Sequence, residues 1–190
     1  VHFMFNLKEI TSIYAQLSES SIQKINEISE LVHLPKNHLL YKPNVYEGYV
    51  YFIAKGSARA YIQTENNEIT FWLGLEKQLL LAFNEYMFDG ISYEYIELLE
   101  DCSLFKIKNS DLKILYETDI DLANFGRKLA EYFGSKSEIR IIERLALSAT
   151  ARYELLIKEN PDFLKRIPLK HIASYLGVTQ VSLSRIRASL

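Results

Sequence analysis

The 190-residue sequence holds a single cysteine, Cys102, and that scarcity removes whole classes of chemistry. One thiol cannot build an internal disulfide framework, a cysteine-ligated zinc site or a cysteine-held iron–sulfur cluster. Histidine is almost as scarce. His2, His33, His38 and His171 are scattered, and none falls in the strand-rich segment 50–107, so a cupin-like metal enzyme with clustered His and Glu ligands is not expected. No G-x-S-x-G, Gly-rich phosphate loop or H-E-x-x-H occurs, and the expectation is a protein that is not an enzyme. Apolar runs such as Leu79 to Phe83 fall far short of the ~18 residues a membrane helix needs. The opening VHFMFNLKEI has no small-residue cleavage site and does not read as a signal peptide, so the expected location is the cytoplasm, with no membrane partner.

What is there describes a soluble globular protein: 48% hydrophobic residues, 24% charged and a mean hydropathy of -0.05. The charge is unevenly spread. Residues 1–150 carry 15 Lys/Arg against 21 Asp/Glu, a net of -6, whereas residues 151–190 carry 7 against 3, a net of +4. An acidic body joined to a basic end suits a nucleic-acid binder, whose basic part faces phosphates.

Three textures follow one another along the chain. Ile10, Ile13, Tyr14 and Leu17, then Ile22, Ile25, Ile28 and Leu31 or Val32, have helical spacing, and Ser18–Ser21 supplies caps between two short helices. After Pro35 and Pro43 come short runs rich in Tyr, Val, Ile and Phe. VYFIAKGSARAYIQ reads as two strands about a turn at Gly56, TENNEITFWLG as a polar turn and a strand, and YEYIELLEDCSLFKI as two strands meeting at Glu100–Asp101. Turn signals about every ten residues indicate an antiparallel β-roll or barrel. From Ile120 the period is helical again: Leu122, Phe125, Leu129 and Tyr132 form a seam, Gly134–Ser135–Lys136 interrupts it, and Ile139, Ile142, Leu145 and Ala149 resume it. Such a stripe either folds back on its own domain or pairs with a second copy, and the homodimer is the preferred reading, through the helix around Leu122–Ile142. A further helix covers 149–158.

The closing stretch, LKHIASYLGVTQVSLSRIRASL, has no acidic side chain. Ile172, Leu176, Val178, Leu183 and Ile186 are spaced as the inner face of a helix-turn-helix. Ala173 is small at the helix crossing, Gly177 sits at the turn, Thr179 can cap the second helix and Pro168 can open the first. The second helix keeps Gln180, Ser182, Ser184, Arg185 and Arg187 outward, a face rich in hydrogen-bond donors.

IASYLGVT followed by LSRIR resembles the helix-turn-helix of the Crp/Fnr transcription regulators, and the VYFIAKGSARAYI hairpin and LLEDCSLFKI strands sit where that family has its cyclic-nucleotide-binding-like roll. The resemblance implies an α+β fold: an N-terminal antiparallel β-roll (a jelly roll) with flanking helices over 1–118, a dimerisation helix over 119–147, and a helix-turn-helix domain, winged-helix-like, over 148–190. It implies a bacterial, sequence-specific regulator whose partners are pseudo-palindromic double-stranded DNA, a second copy of the chain and RNA polymerase. The alternative is a sensor or protein-interaction module of the same fold without its own DNA target. Arg185 matches the recognition arginine that reaches a guanine; Gln180 suits adenine and Val181 a thymine methyl. Lys170, Thr179, Ser182, Ser184 and Arg187 complete the expected DNA-binding set, chiefly through phosphates, with Lys165 and Arg166 adding to it.

The family's nucleotide cassette pairs a glutamate for the ribose with an arginine for the cyclic phosphate. Here AFNEYMFDGISYEY occupies the segment, and no arginine lies between Arg59 and Arg127. Ser92 and Tyr93 stand near the arginine's place. A buried phosphate without a cation is costly, so the expected effector is something other than cyclic AMP and is otherwise unknown, and no cofactor is required. Tyr61, Glu85, Ser92 and Tyr93 are the candidate effector-binding residues. His33 and His38, the available haem ligands, read as isolated surface histidines.

Overall fold

The computed structural model describes residues 4–189, so His2 lies outside the described residues. Asn6 and Glu9 close a reciprocal capping box on α1 (Leu7–Thr11), and Ser18 caps α2 (Glu19–Glu27) by accepting from the Ser21 N–H at 3.3 Å. Helical spacing extends on paper to Leu31 and Val32, but these residues belong to β1 (Ser29–Leu34). There Val32 pairs opposite Leu104, so pairing with an available sheet edge overrides the local period.

The remaining strands are β2 (Leu39–Tyr41), β3 (Tyr49–Lys55), β4 (Ala58–Gln63), β5 (Glu68–Gly74), β6 (Leu79–Leu80), β7 (Tyr95–Leu98) and β8 (Cys102–Lys108), with α3 (Phe83–Phe88) between β6 and β7. They form two four-stranded antiparallel sheets, ordered β1-β8-β3-β6 and β2-β7-β4-β5. The strands flanking Gly56 are therefore not a hairpin. β3 pairs with β6 and β8, β4 pairs with β5 and β7, and the chain crosses between sheets at Gly56–Ser57. It crosses back after β5 and after β7, so the strands about Glu100–Asp101 also lie in different sheets. Gly56 has φ +115°, and a Cβ there would stand 2.3 Å from Cys102 Sγ, so the crossing requires glycine twice over.

β3 is buried on both faces. Tyr51 and Ile53 point into the space between the sheets with Tyr41, Ala58, Ile96, Leu98 and Leu104. Val50, Phe52 and Ala54 point the other way, into a second layer built with Leu7 and Ile10 of α1, Leu112 of α4 (Asn109–Thr118), and Phe125 and Leu129 of α5 (Ile120–Ala146). Burying Phe125 and Leu129 in this way stabilises the fold by about 1.5–3 kcal/mol each.

α5 runs through Gly134 without a break; one interior glycine costs only about 1 kcal/mol against alanine, too little to stop a 27-residue helix. Its seam is divided. Leu122, Phe125 and Leu129 are buried within their own chain and cannot serve a partner, whereas Ile139, Ile141, Ile142 and Leu145 are exposed, Leu145 by 84%. The helices that follow are α6 (Ala149–Glu159), capped by Ser148, then α7 (Phe163–Arg166), α8 (Leu169–Leu176) and α9 (Gln180–Ala188). Residues 149–189 are helical without a strand, so the winged-helix likeness rests on the helices.

Candidate nucleic-acid interface

α8 and α9 form the expected helix-turn-helix. Pro168 precedes α8, and Gly177 ends it in the left-handed region at φ +70°, its N–H donating to the Ser174 carbonyl at 3.0 Å. Thr179 caps α9, its hydroxyl accepting from the Ser182 N–H at 3.1 Å. Ile172, Ala173, Leu176 and Leu183 are buried with Tyr153, Leu156, Phe163 and Ile167, and Val178 and Ile186 pack at the edge of the cluster. Leu73 and Leu99 of the roll join the same cluster, so this unit is seated on the roll.

The outward face holds the residues singled out from the sequence. Lys170, Thr179, Gln180, Val181, Ser184, Arg185 and Arg187 are exposed, and Ser182 is half-buried behind its cap. None of Lys170, Arg185 and Arg187 is in an ion pair among the described residues. The α9 surface is thus uncompensated positive charge beside amide and hydroxyl groups. Lys165 is exposed and pairs with Asp162 at 3.0 Å. Arg166 departs from expectation. It is largely buried and bonds both carboxylates of a facing pair, Glu76 at 2.7 and 2.8 Å and Glu100 at 2.9 Å, so four of its five N–H donors are directed at the roll rather than at a phosphate. These bonds hold Glu76 below the usual carboxylate range against the opposing effect of its burial.

Three further arginines, which spacing did not single out, meet the far end of α8. Arg140 stacks 4.0 Å from the Tyr175 ring centroid, Arg152 donates to the Leu176 carbonyl at 3.0 Å, and Arg144 lies against Gly177. Cations at a helix C-terminus are favourable because its last carbonyls are unsatisfied and carry partial negative charge. Nothing in the local sequence marks them, because the α8 atoms that Arg140 and Arg152 meet lie 24 or more residues away.

The candidate effector residues do not form one site. Tyr61 stacks on Tyr95, centroids 4.9 Å apart, beneath the guanidinium of Arg59, which is buried between Glu97 and Glu68. Glu85 lies in α3 and turns toward the roll, its Oε2 accepting from the N–H groups of Glu47 at 3.1 Å and Gly48 at 3.0 Å. Its Oε1 is buried without a hydrogen-bond partner among the described residues. Ser92 and Tyr93 meet at Glu94: its Oε2 accepts from the Ser92 hydroxyl at 3.4 Å and the Tyr93 N–H at 3.3 Å, while the Tyr93 ring is exposed. Burial raises both Glu85 and Glu94 above the usual carboxylate range. The segment thus presents two buried carboxyls where a phosphate would need a cation. A cleft of about 630 Å³ lies between the roll, α5 and the C-terminal helices; Tyr93 and Glu94 reach its wall with Trp72, Phe83 and Phe133, and Lys136 and Arg140 line its α5 side.

No family model matches the chain, and no curated protein matches it in sequence. Solved structures do match in fold. The structure of FixK2 from Bradyrhizobium japonicum is 19% identical with a TM-score of 0.72, over 86% of this chain and 84% of that one. A transcriptional regulator of the Crp/Fnr family from Eubacterium rectale is 18% identical with a TM-score of 0.68, over 90% and 82%. The c-di-GMP-responsive global regulator CLP of Xanthomonas campestris is 14% identical with a TM-score of 0.67, over 90% and 91%. The matches extend over most of each chain, and this chain has the fold of the Crp/Fnr regulators.

Proposed function

We propose that the protein is a sequence-specific DNA-binding transcription regulator of Crp/Fnr type, and not an enzyme. The observation that carries this reading is α9: a capped helix, seated on a buried hydrophobic cluster, whose outer face offers Gln180, Ser184, Arg185 and Arg187 with no carboxylate among residues 169–189. Arg185 reads a guanine through O6 and N7, Gln180 an adenine, and Val181 packs on a thymine methyl. Lys170, Thr179, Ser182, Ser184 and Arg187 hold phosphates and set the register. Residues 1–118 act as the sensor, 119–147 as the dimerisation segment and 148–190 as the DNA reader, with RNA polymerase as a further partner.

The protein acts as a homodimer that spans two half-sites, its two copies meeting along Ile139, Ile141, Ile142 and Leu145 rather than along the buried part of α5. Its effector is not cyclic AMP. Glu85 and Glu94 are buried carboxyls with no cation paired to them among the described residues, and a phosphate beside them would be repelled. Selection of bound sequences from a random duplex pool tests the reading. A roughly palindromic motif is expected, and a pool with no enriched motif after repeated rounds rejects it. Titration with cyclic AMP at millimolar concentration should give no saturable heat.

A further inference from the structure

Arg166 is the only side chain of the C-terminal helices in an ion pair with the roll among the described residues, and its two partners stand at a particular corner. Glu76 follows β5 and Glu100 follows β7, each in a segment where the chain leaves one sheet for the other. The third crossing, between β3 and β4, is bonded to the same carboxylates: the Gly56 N–H donates to Glu76 Oε1 at 2.8 Å, and the Ser57 hydroxyl donates to Glu100 Oε1 at 2.9 Å. Three sheet-to-sheet crossings are therefore gathered by two carboxylates, and one guanidinium closes the cluster with four hydrogen bonds of 2.7–2.9 Å. The planar fork of arginine suits this geometry, and lysine could not satisfy both carboxylates in the same way.

A second contact lies one step along the same edge. The Ser174 hydroxyl of α8 donates to the Glu68 carbonyl at 2.9 Å and accepts from the Thr70 N–H at 2.9 Å. β5 is the edge strand of its sheet, so α8 occupies hydrogen-bonding positions that would otherwise face solvent. From the latch at Arg166 to α8 is a span of three residues, and from α8 to α9 only the turn 177–179.

We propose that Arg166 is a latch that fixes the orientation of α9 against the roll, at the corner where its two sheets meet. The inference rests on the DNA-binding reading for its consequence but not for its geometry. Glu76 and Glu100 are both bonded to the Gly56–Ser57 crossing, which holds the two carboxylates together as the acceptor for the latch. Weakening it leaves the C-terminal unit held by Ser174, by Leu73 and Leu99, and by α5, and allows that unit to swing. Arg166 is a positioning residue: it touches no base or phosphate.

The test measures distance and DNA affinity separately. Spin labels at Gln23→Cys and Ala188→Cys, both on exposed positions, report the separation of the roll from α9, and native Cys102 is buried. Labelled chain is diluted with unlabelled chain so that each assembly carries one labelled copy. Without DNA, the parent should give one narrow distance distribution and Arg166→Met a broadened or two-component one. Should Arg166→Met fail to fold, Glu100→Gln, which leaves the paired bonds to Glu76, serves in its place and should broaden the distribution less. An unchanged distribution in a folded variant overturns the latch. Affinity for the selected operator should change by about 5- to 150-fold, the span of typical coupling energies. A changed distribution with unchanged affinity overturns the coupling to DNA. If the parent selects no motif at all, the DNA-binding reading fails, while the distance measurement still decides the latch.

Discussion

Arg152 and Leu176 are joined across the helix-turn-helix: Nη2 of the arginine donates to the leucine carbonyl at 3.0 Å, while Nη1 donates to the Leu147 carbonyl at 2.6 Å. One guanidinium therefore satisfies the last turn of α8 and the residue that ends α5. Arg152→Met keeps most of the apolar stem and removes both bonds. Hydrogen bonds from a charged donor contribute about 1.5–3 kcal/mol each, and part of this is offset because Nε is buried without a partner. Chemical denaturation should show a loss of about 2 kcal/mol, confined to the C-terminal helices when followed by amide exchange.

Arg185 and Lys170 should fail in different ways. Arg185→Ala is expected to relax specificity at one base pair per half-site, at about 1–3 kcal/mol, with little change in binding to random duplex. Lys170→Ala should weaken all sequences alike and reduce the slope of log affinity against log salt by about 1. Competition binding at several salt concentrations separates the two patterns.

His171 gives the C-terminal unit a pH limit. Burial, with Arg59 and then Lys170 nearby, lowers its imidazole from 6.5 to about 4. The unfolded chain therefore takes up a proton at this position before the folded chain does. The stability it supports is fully present above about pH 6.5 and is lost as the pH falls from there through about 4. His171→Leu should flatten this part of the stability profile, and proton NMR titration of the imidazole should show it neutral at pH 5.5.

The two halves of α5 should answer mutation in opposite currencies. Leu145→Glu, at a side chain 84% exposed, should leave the unfolding midpoint within about 0.5 kcal/mol of the parent and shift sedimentation from dimer to monomer. Leu122→Ala, at a fully buried side chain, should cost about 2–5 kcal/mol of stability whatever the state of assembly. A monomeric parent at micromolar concentration would reject the proposed interface.

Much of this architecture is legible in the amino-acid sequence. Thr179, Gly177 and the Ile172–Leu183 spacing specify the helix-turn-helix because caps, turns and faces are local properties, and the fold agrees with them. Pairing is not local. Strand lengths about Gly56 were readable, but nothing in VYFIAKGSARAYIQ says that its two strands join different sheets. Val32 likewise keeps helical spacing while a distant β8 recruits it. The same limit explains Arg166: its composition is that of a phosphate-binding arginine, and only the fold brings Glu76 and Glu100 to it from 90 and 66 residues away. Glu94 does not stand out beside Ser92 and Tyr93 because burial of a carboxylate leaves no mark in sequence.

The outer positions of α9 carry a consequence for descent. Gln180, Val181, Ser184, Arg185 and Arg187 are exposed, and their side chains make no hydrogen bond to the described residues. Exchange at these five places disturbs no cap and no buried contact, whereas β3 tolerates almost no change on either face. If α9 reads DNA as proposed, a lineage carrying this chain can move to a new target sequence by a handful of substitutions while inheriting the rest of the molecule unaltered.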